Sequence, residues 1–225
     1  PNIAEQTTAV ETLTVTDTDT GDVNACTLGG ADASSFSCTV NGDSVSLAFS
    51  SAPDFENPGS VDSDNDYSVT VTISDGVNTG ATISYTVTVD DANDFTPTYS
   101  AGDLTPSVAE GSTAVDSFTV SDADTDDVNA CIRGGADAAL FTCTVSGDDI
   151  TLAFASAPDY DSASDANSDN DYIVTVAISD GTNTGSTLSY TVSVTDLNDQ
   201  TPTYSSSDTT PSISEGTTAV ETLTV

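Results

Sequence analysis

The sequence predicts an all-β chain built as tandem seven-stranded sandwiches, and three observations lead there. Apolar and polar residues alternate with period two. Turn signals cut the chain into short segments. The whole pattern returns after 105 residues, Pro1 recurring as Pro106 and Pro211.

The repeat organises everything else. Between the first two copies 65 of 105 positions are identical, with no insertion. A unit of this size is a domain rather than a solenoid turn. The expected division is therefore residues 1–105, residues 106–210, and the start of a third copy at 211–225. Residues 211–225 match residues 1–15 at 12 positions. Drift in sequence without drift in length implies that spacing along the array matters. The chain opens and closes inside a recurring unit, so it reads as a window on something longer.

Within the first copy the strands are expected near residues 2–5, 9–16, 24–28, 35–40, 44–49, 67–74 and 81–89. The run Tyr67-Ser68-Val69-Thr70-Val71-Thr72-Ile73 alternates apolar and polar residues, as does Ile83-Ser84-Tyr85-Thr86-Val87-Thr88-Val89. Val45, Leu47 and Phe49 alternate likewise, as do Leu13 and Val15. That period marks half-buried antiparallel strands, with Ser and Thr on the wet face. Gly29-Gly30, Asn41-Gly42-Asp43 and Asp75-Gly76 supply the turns. No segment carries a helical stripe. Seven short strands in about 100 residues indicate an immunoglobulin-like Greek-key sandwich. The longest loop, residues 50–66, is rich in Asp and Pro.

Charge bounds the partners. There are 37 Asp and Glu against one cation, Arg133, giving a formal net charge of −36. Nucleic acid and anionic membrane surfaces both require the missing Lys and Arg. No run of about 18 apolar residues is present to span a membrane, and no signal peptide is visible. Such self-repulsion disfavours a compact state unless something neutralises it.

Each copy holds two cysteines twelve residues apart, on consecutive expected strands. Their even number and recurrence predict disulfides Cys26–Cys38 and Cys131–Cys143. Two Cys per copy with no His would leave a tetrahedral zinc site half empty. A disulfide across so short a loop contributes roughly 3 kcal/mol in the chain-entropy account, and it places the chain in an oxidising, extracellular or cell-surface setting.

The carboxylates gather in recurring motifs. One is Glu5, Glu110 and Glu215 near the start of each copy. A second is the Asp-x-Asp pair, Asp17 and Asp19, then Asp122 and Asp124. The long loop gives Asp54 and Glu56, then Asp159 and Asp161. After the last strand come Asp91-Ala92-Asn93-Asp94 and Asp196-Leu197-Asn198-Asp199, and the Ser-Asp-Gly turn adds Asp75 and Asp180. Calcium takes six to eight hard oxygens, and gathered carboxylates are stable together only around a cation. Singly each motif fits a solvated acidic face. Their joint recurrence at fixed spacing favours calcium.

The chain resembles the cadherin family, and more closely its bacterial surface-protein repeats. Gly29-Gly30-Ala31-Asp32-Ala33 through Phe36, Ala52-Pro53-Asp54-Phe55-Glu56-Asn57-Pro58 and Asp64-Asn65-Asp66-Tyr67 carry the resemblance, which covers both full copies. It implies calcium between consecutive domains. For the first junction it implies Glu5, Asp54, Glu56, Asn93 and Asp94 from one copy and Asp122, Asp124 and Asp180 from the next. Backbone carbonyls of Ala92, Phe95 and Asn129 would complete the shell, with Asp91 a weaker ligand. Glu110, Asp159, Asp161, Asn198 and Asp199 form half of a second site, and Asp17, Asp19 and Asp75 would face a preceding copy. Phe95 and Gln200 stand where the family commonly has Asn, and Asp161 is shorter than its counterpart Glu56. No Trp is present for the tryptophan-mediated strand exchange of animal cadherins.

The expected function is a calcium-rigidified structural and adhesive repeat, the shaft of a surface fibre or adhesin. Its partners would be neighbouring repeats, copies of the same chain, or cell-surface glycans or proteins. The alternative is a module recognising carbohydrate or itself, for which Phe55, Tyr160, Tyr99 and Tyr204 stand outside the inward alternation. No enzyme is expected. The carboxylates recur in every copy rather than converging on one cleft, and there is no His for a triad.

Overall fold

A computed structural model describes residues 1–19, 24–125, 129–205 and 209–219. Strands form where alternation predicts them. They are β1 (Asn2–Ala4), β2 (Ala9–Thr14), β3 (Ala25–Gly29), β4 (Phe36–Asn41), β5 (Ser44–Phe49), β6 (Asp66–Ser74) and β7 (Thr79–Asp90). The second set is β8 (Ser107–Ala109), β9 (Ala114–Thr119), β10 (Ala130–Gly134), β11 (Phe141–Ser146), β12 (Asp149–Phe154), β13 (Asp171–Ser179) and β14 (Leu188–Thr195). The sequence reading missed one 3-10 turn in each set, Ala33–Ser35 and Ala138–Leu140. At three residues these are too short to show a helical period.

Each set of seven makes two sheets, ordered β1-β7-β6-β3 against β2-β5-β4, and β8-β14-β13-β10 against β9-β12-β11. β1 and β8 run parallel to β7 and β14, and the other pairs are antiparallel. The period of two now has a physical face. Tyr67, Val69 and Val71 of β6 and Val87 and Val89 of β7 are buried against Leu47 and Phe49 of β5. Phe49 meets Tyr67 edge-on at 4.9 Å, and Phe154 meets Tyr172 at 5.1 Å in the second sandwich. Such aromatic contacts add about 0.5–1.5 kcal/mol beyond burial.

Both predicted disulfides form, with Cα atoms 6.2 and 6.1 Å apart. Their placement is more informative than their spacing. β3 and β4 follow one another in sequence but are edges of opposite sheets. Each disulfide therefore joins the two sheets across one open edge of its sandwich.

The long loop before β6 is tied down from two sides. The buried Asp32 carboxylate accepts hydrogen bonds from Val61 N and Ser68 N, both at 2.7 Å. The Tyr67 hydroxyl accepts one from Gly59 N at 2.8 Å. Asp137 and Tyr172 do the same for the second loop. Among the described residues no helix is long and apolar enough to cross a membrane. Residues 211–219 form no strand, and 220–225, the rest of the expected third copy, lie outside the described residues.

Candidate metal centre between the sandwiches

Seven carboxylates meet where the first sandwich hands over to the second. Glu5, Glu56 and Asp91 form one group, Glu56, Asp94 and Asp124 another, and Asp122, Asp124 and Asp180 a third. Within each group one oxygen per residue lies within 4.8 Å of the others. Glu56 and Asp124 are shared, so the three groups make one continuous string running from one sandwich to the other.

Local folding sets each donor. Glu5 follows β1, is 4 % exposed, and accepts hydrogen bonds from Phe55 N and Ala92 N, each at 2.9 Å. It thereby clamps the long loop to the segment after β7. Asp124 accepts from Phe95 N at 2.8 Å, drawing that segment onto the second sandwich. Thr125 N donates to Asp91 at 2.6 Å, and its hydroxyl reaches the same oxygen. Asp180 caps its own turn, accepting from Thr182 N at 2.7 Å and Asn183 N at 2.6 Å.

Several acceptor oxygens in the string have no hydrogen-bond partner although they are buried. They are both oxygens of Glu56, Asp91 Oδ1, Asp122 Oδ2 and Asp180 Oδ2. Asn129 Oδ1 is buried without a partner as well. A buried, unpaired carboxylate is costly by several kcal/mol, and such groups normally shift their pKa or bind a cation. The Glu56 carboxyl shows the strain. Burial, then the charges of Glu5, Asp91 and Asp124, push it up to about 7 against the lowering effect of its own backbone N–H. Asp94 is also raised, by burial and then by Glu5, Asp54 and Asp91, with the Gln6 side chain partly offsetting this. Burial would raise Asp180, but the Asn183 and Thr182 N–H groups and the Asn93 side chain outweigh it and hold the carboxyl low. Arg133, the one cation, donates to the carbonyls of Ala138 and Phe141.

The structure thus gathers Glu5, Glu56, Asp94, Asp122, Asp124 and Asp180 of the expected first-junction set. Two members sit differently. Exposed Asp54 caps the loop by accepting from Asn57 N at 3.0 Å and acts on Asp94 through its charge. Asn93 Oδ1 accepts from Asn183 Nδ2 at 3.1 Å, and the same Asn183 nitrogen donates to the Phe95 carbonyl at 2.6 Å. Asn183 was not foreseen. Its signal was the repeated Asp-Gly-x-Asn turn, at Asp75–Asn78 and Asp180–Asn183. Gln6, which reaches Asp94 Oδ2, and Thr125 were also missed.

The remaining expected ligands lie at the outer ends. Glu110 is 6 % exposed and accepts from Tyr160 N at 2.7 Å and Leu197 N at 2.6 Å, repeating Glu5. Asp159, Asp161, Asn198 and Asp199 around it are exposed. Asp161 is raised by burial and then by Asp196, Glu110, Asp159 and Asp199, so these carboxylates face one another. Asp17 and Asp19 are exposed, and Asp75 is half-buried and held low by the N–H groups of Asn78 and Val77.

No protein-family model and no curated protein matches this chain. Solved structures do. A protocadherin gammaB7 EC3-6 cis-dimer structure aligns with a TM-score of 0.56 at 22% identity, covering 83% of this chain and 43% of that one. The protocadherin gamma B2 extracellular cadherin domains 1-5 align at 0.56 and 18%, covering 90% and 38%. Human protocadherin-24 EC1-2 aligns at 0.51 and 18%, covering 80% and 85%. The chain therefore spans less than half of the first two. It has the cadherin-like fold, and these likenesses lend no support to a bacterial origin.

Proposed function

We propose that this chain is a section of an extracellular adhesive rod whose sandwiches are locked in line by calcium. The observation that carries the reading is the string of buried, unpartnered carboxylate oxygens on Glu56, Asp91, Asp122 and Asp180. A hard divalent cation satisfies such oxygens and cancels their repulsion. Glu5, Glu56, Asp91 and Asp94 would hold it from the first sandwich, and Asp122, Asp124 and Asp180 from the second, and Asn129 would add its carbonyl and its side-chain oxygen, which is buried without a partner. Asp54 and Asn93 act beside them, Asp54 through charge and the loop cap, Asn93 by orienting Asp180 and Asn183. Glu110, Asp159, Asp161, Asn198 and Asp199 would repeat the first half, and Asp17, Asp19 and Asp75 the second.

The function follows from stiffness rather than chemistry. Without cations the −36 charge favours splayed sandwiches. With them the segment Asp91–Phe95 is cross-linked on both sides, and the rod extends. The disulfides and the fold's likeness to extracellular cadherin domains support an extracellular setting and a non-enzymatic, adhesive role. The test is thermal unfolding and small-angle scattering, with calcium and with chelator. Calcium at a hundredfold excess over Kd adds about 2.7 kcal/mol, and Tm should rise by about 5–10 °C while the maximum dimension grows. If neither changes, the calcium reading is wrong.

A further inference from the structure

A cavity of about 360 Å³ lies under the loop before β6, lined by the first sandwich alone. Phe49 and Tyr67, 4 % and 2 % exposed, form its floor. Ser34, Ser35, Ser50 and Ser51 line its wall, and among the described residues none of their hydroxyls bonds to a protein group. Exposed Asp54 and Asn57 stand at its mouth. The Tyr67 hydroxyl accepts from Gly59 N at 2.8 Å. Its own proton has no acceptor among the described residues, so a donor faces the cavity.

The second sandwich has the same framework and fills the same place from within. Leu140 stands where the first has Ser35, and it packs against the core to which Phe154 and Tyr172 belong. Ala139 and Ala155 replace Ser34 and Ser50. Ser164 replaces Gly59, and its hydroxyl lies 3.3 Å from that of Tyr172. Gly59 has no side chain with which to meet Tyr67 in that way. One copy thus completes its core with a leucine and satisfies its phenol with a serine. The other surrounds open space with four hydroxyls and an unmet donor. Every residue of each arrangement lies within its own sandwich, so neither depends on a neighbouring repeat.

We infer that this cavity binds one neutral sugar ring, its C–H face on Phe49 and Pro53 and its hydroxyls on the serines, Asn57 and the Tyr67 proton. Small-ligand sites run from about 300 to 1,000 Å³, so the space suits a single ring. A wholly apolar occupant would leave the Tyr67 donor buried and unpaired, a cost that Ser164 spares the second sandwich. An anionic ligand meets no cation among the lining residues and is repelled by a chain of charge −36. A cationic one finds a single carboxylate, Asp54, which already accepts from Asn57 N at 3.0 Å. Hydroxyls that both donate and accept, set over an apolar floor, match a polyol instead. The inference stands apart from the calcium reading, because none of the seven carboxylates of the string lines the cavity.

Saturation-transfer difference NMR on the intact chain in calcium tests it. The probes are the methyl glycosides of glucose, galactose, mannose and N-acetylglucosamine, with sialic acid and lysine as charged comparators. At least one neutral glycoside should receive saturation, and the comparators should not. Ser35→Leu installs the residue that the second sandwich already accommodates, and it should abolish the signal. Tyr67→Phe removes only the donor and should weaken binding by roughly three- to tenfold. Melting curves with calcium and with chelator check that each variant folds, and the shift caused by calcium should stay as in the parent chain. Should Ser35→Leu fail to fold, Tyr67→Phe and Asn57→Ala carry the test. Silence from every neutral glycoside overturns the inference, as does binding that survives Ser35→Leu or an equal response to lysine or sialic acid. A chain that calcium stabilises but no glycoside saturates defeats the sugar site and spares the metal centre.

Discussion

The β6–β7 and β13–β14 hairpins share a turn and nearly a sequence, yet one is zipped and the other is propped open. Thr79-Gly80-Ala81-Thr82 and Thr184-Gly185-Ser186-Thr187 differ at one residue. Local propensity does not explain why β7 extends four residues further. The difference lies in what arrives from outside. In the second sandwich, where the β13–β14 ladder stops at Val176–Leu188, the Tyr99 ring stacks on Phe118 and its hydroxyl donates to the Ser186 carbonyl and accepts from Ile178 N, so the ladder is dispensable. In the first the ladder itself satisfies the backbone, as buried N–H and C=O groups must be.

The largest effect is expected of Gly185→Ala. The added methyl has no room beside Pro97 and Tyr99. It should expel the ring, cost about 2–4 kcal/mol as overpacking plus lost contacts, and let the second ladder zip like the first. Gly80→Ala is the control. Its Cβ meets only Ile73 O, at 3.3 Å, and the cost should stay near 1 kcal/mol or below. Chemical denaturation of both variants decides the matter. Equal losses would mean that Tyr99 is not what distinguishes the hairpins.

Tyr99→Phe separates ring from hydroxyl. The stack on Phe118 survives, while Ile178 N loses its acceptor inside the sandwich, at a cost of about 1–2 kcal/mol. Amide exchange at Ile178 should speed up, and exchange at Ile73 should not change.

The carboxylates make stability depend on pH. In the metal-free protein Glu56 titrates near 7 when folded and near its ordinary 4.5 when unfolded. Between those values the folded state binds more protons than the unfolded one. This group's contribution to stability is therefore fully present below 4.5 and lost as pH rises through about 7. Denaturation in chelator across that window should show stability falling with pH, and Glu56→Gln should flatten the slope. Calcium should reverse the trend, because it binds the ionised form.

The smallest effect is expected at Gln6, which holds a positive φ of 59° where Gly111 and Gly216 stand in the other copies. Gln6→Gly relieves up to about 1 kcal/mol of backbone strain and removes the hydrogen bond to Asp94. Net stability should move by no more than about 0.5 kcal/mol, while calcium titration should show slightly weaker binding if Gln6 orients Asp94.

Much of the fold was legible because its cause is local. Alternation at Tyr67–Ile73 and Ile83–Val89 writes the buried face directly into the chain, and the Gly- and Asp-based turns bound it. The carboxylate motifs were legible because they recur. Less legible was how the acidic residues divide their work. Asp32 and Asp137 look like further members of an acidic set, but they hold loops by accepting two backbone N–H groups each. Asn93 looks like a ligand and is found bonded to Asn183. Roles of this kind depend on which donor lies within hydrogen-bonding reach, and one sequence does not list neighbours 90 residues apart.

Strands, turns, the repeat and the cysteine pairing could be read directly from the chain, since period, turn chemistry and recurrence are written into its order of residues. Tertiary structure alone decided that each disulfide crosses between sheets. It also strung seven carboxylates from two sandwiches into one array with buried oxygens facing no donor. And it decided that of two nearly identical hairpins one is zipped and the other is propped open. The physical reason is the same each time. Burial and hydrogen-bond satisfaction are set by the groups that fold in from elsewhere, and the same residues settle differently when Tyr99 is there to meet them.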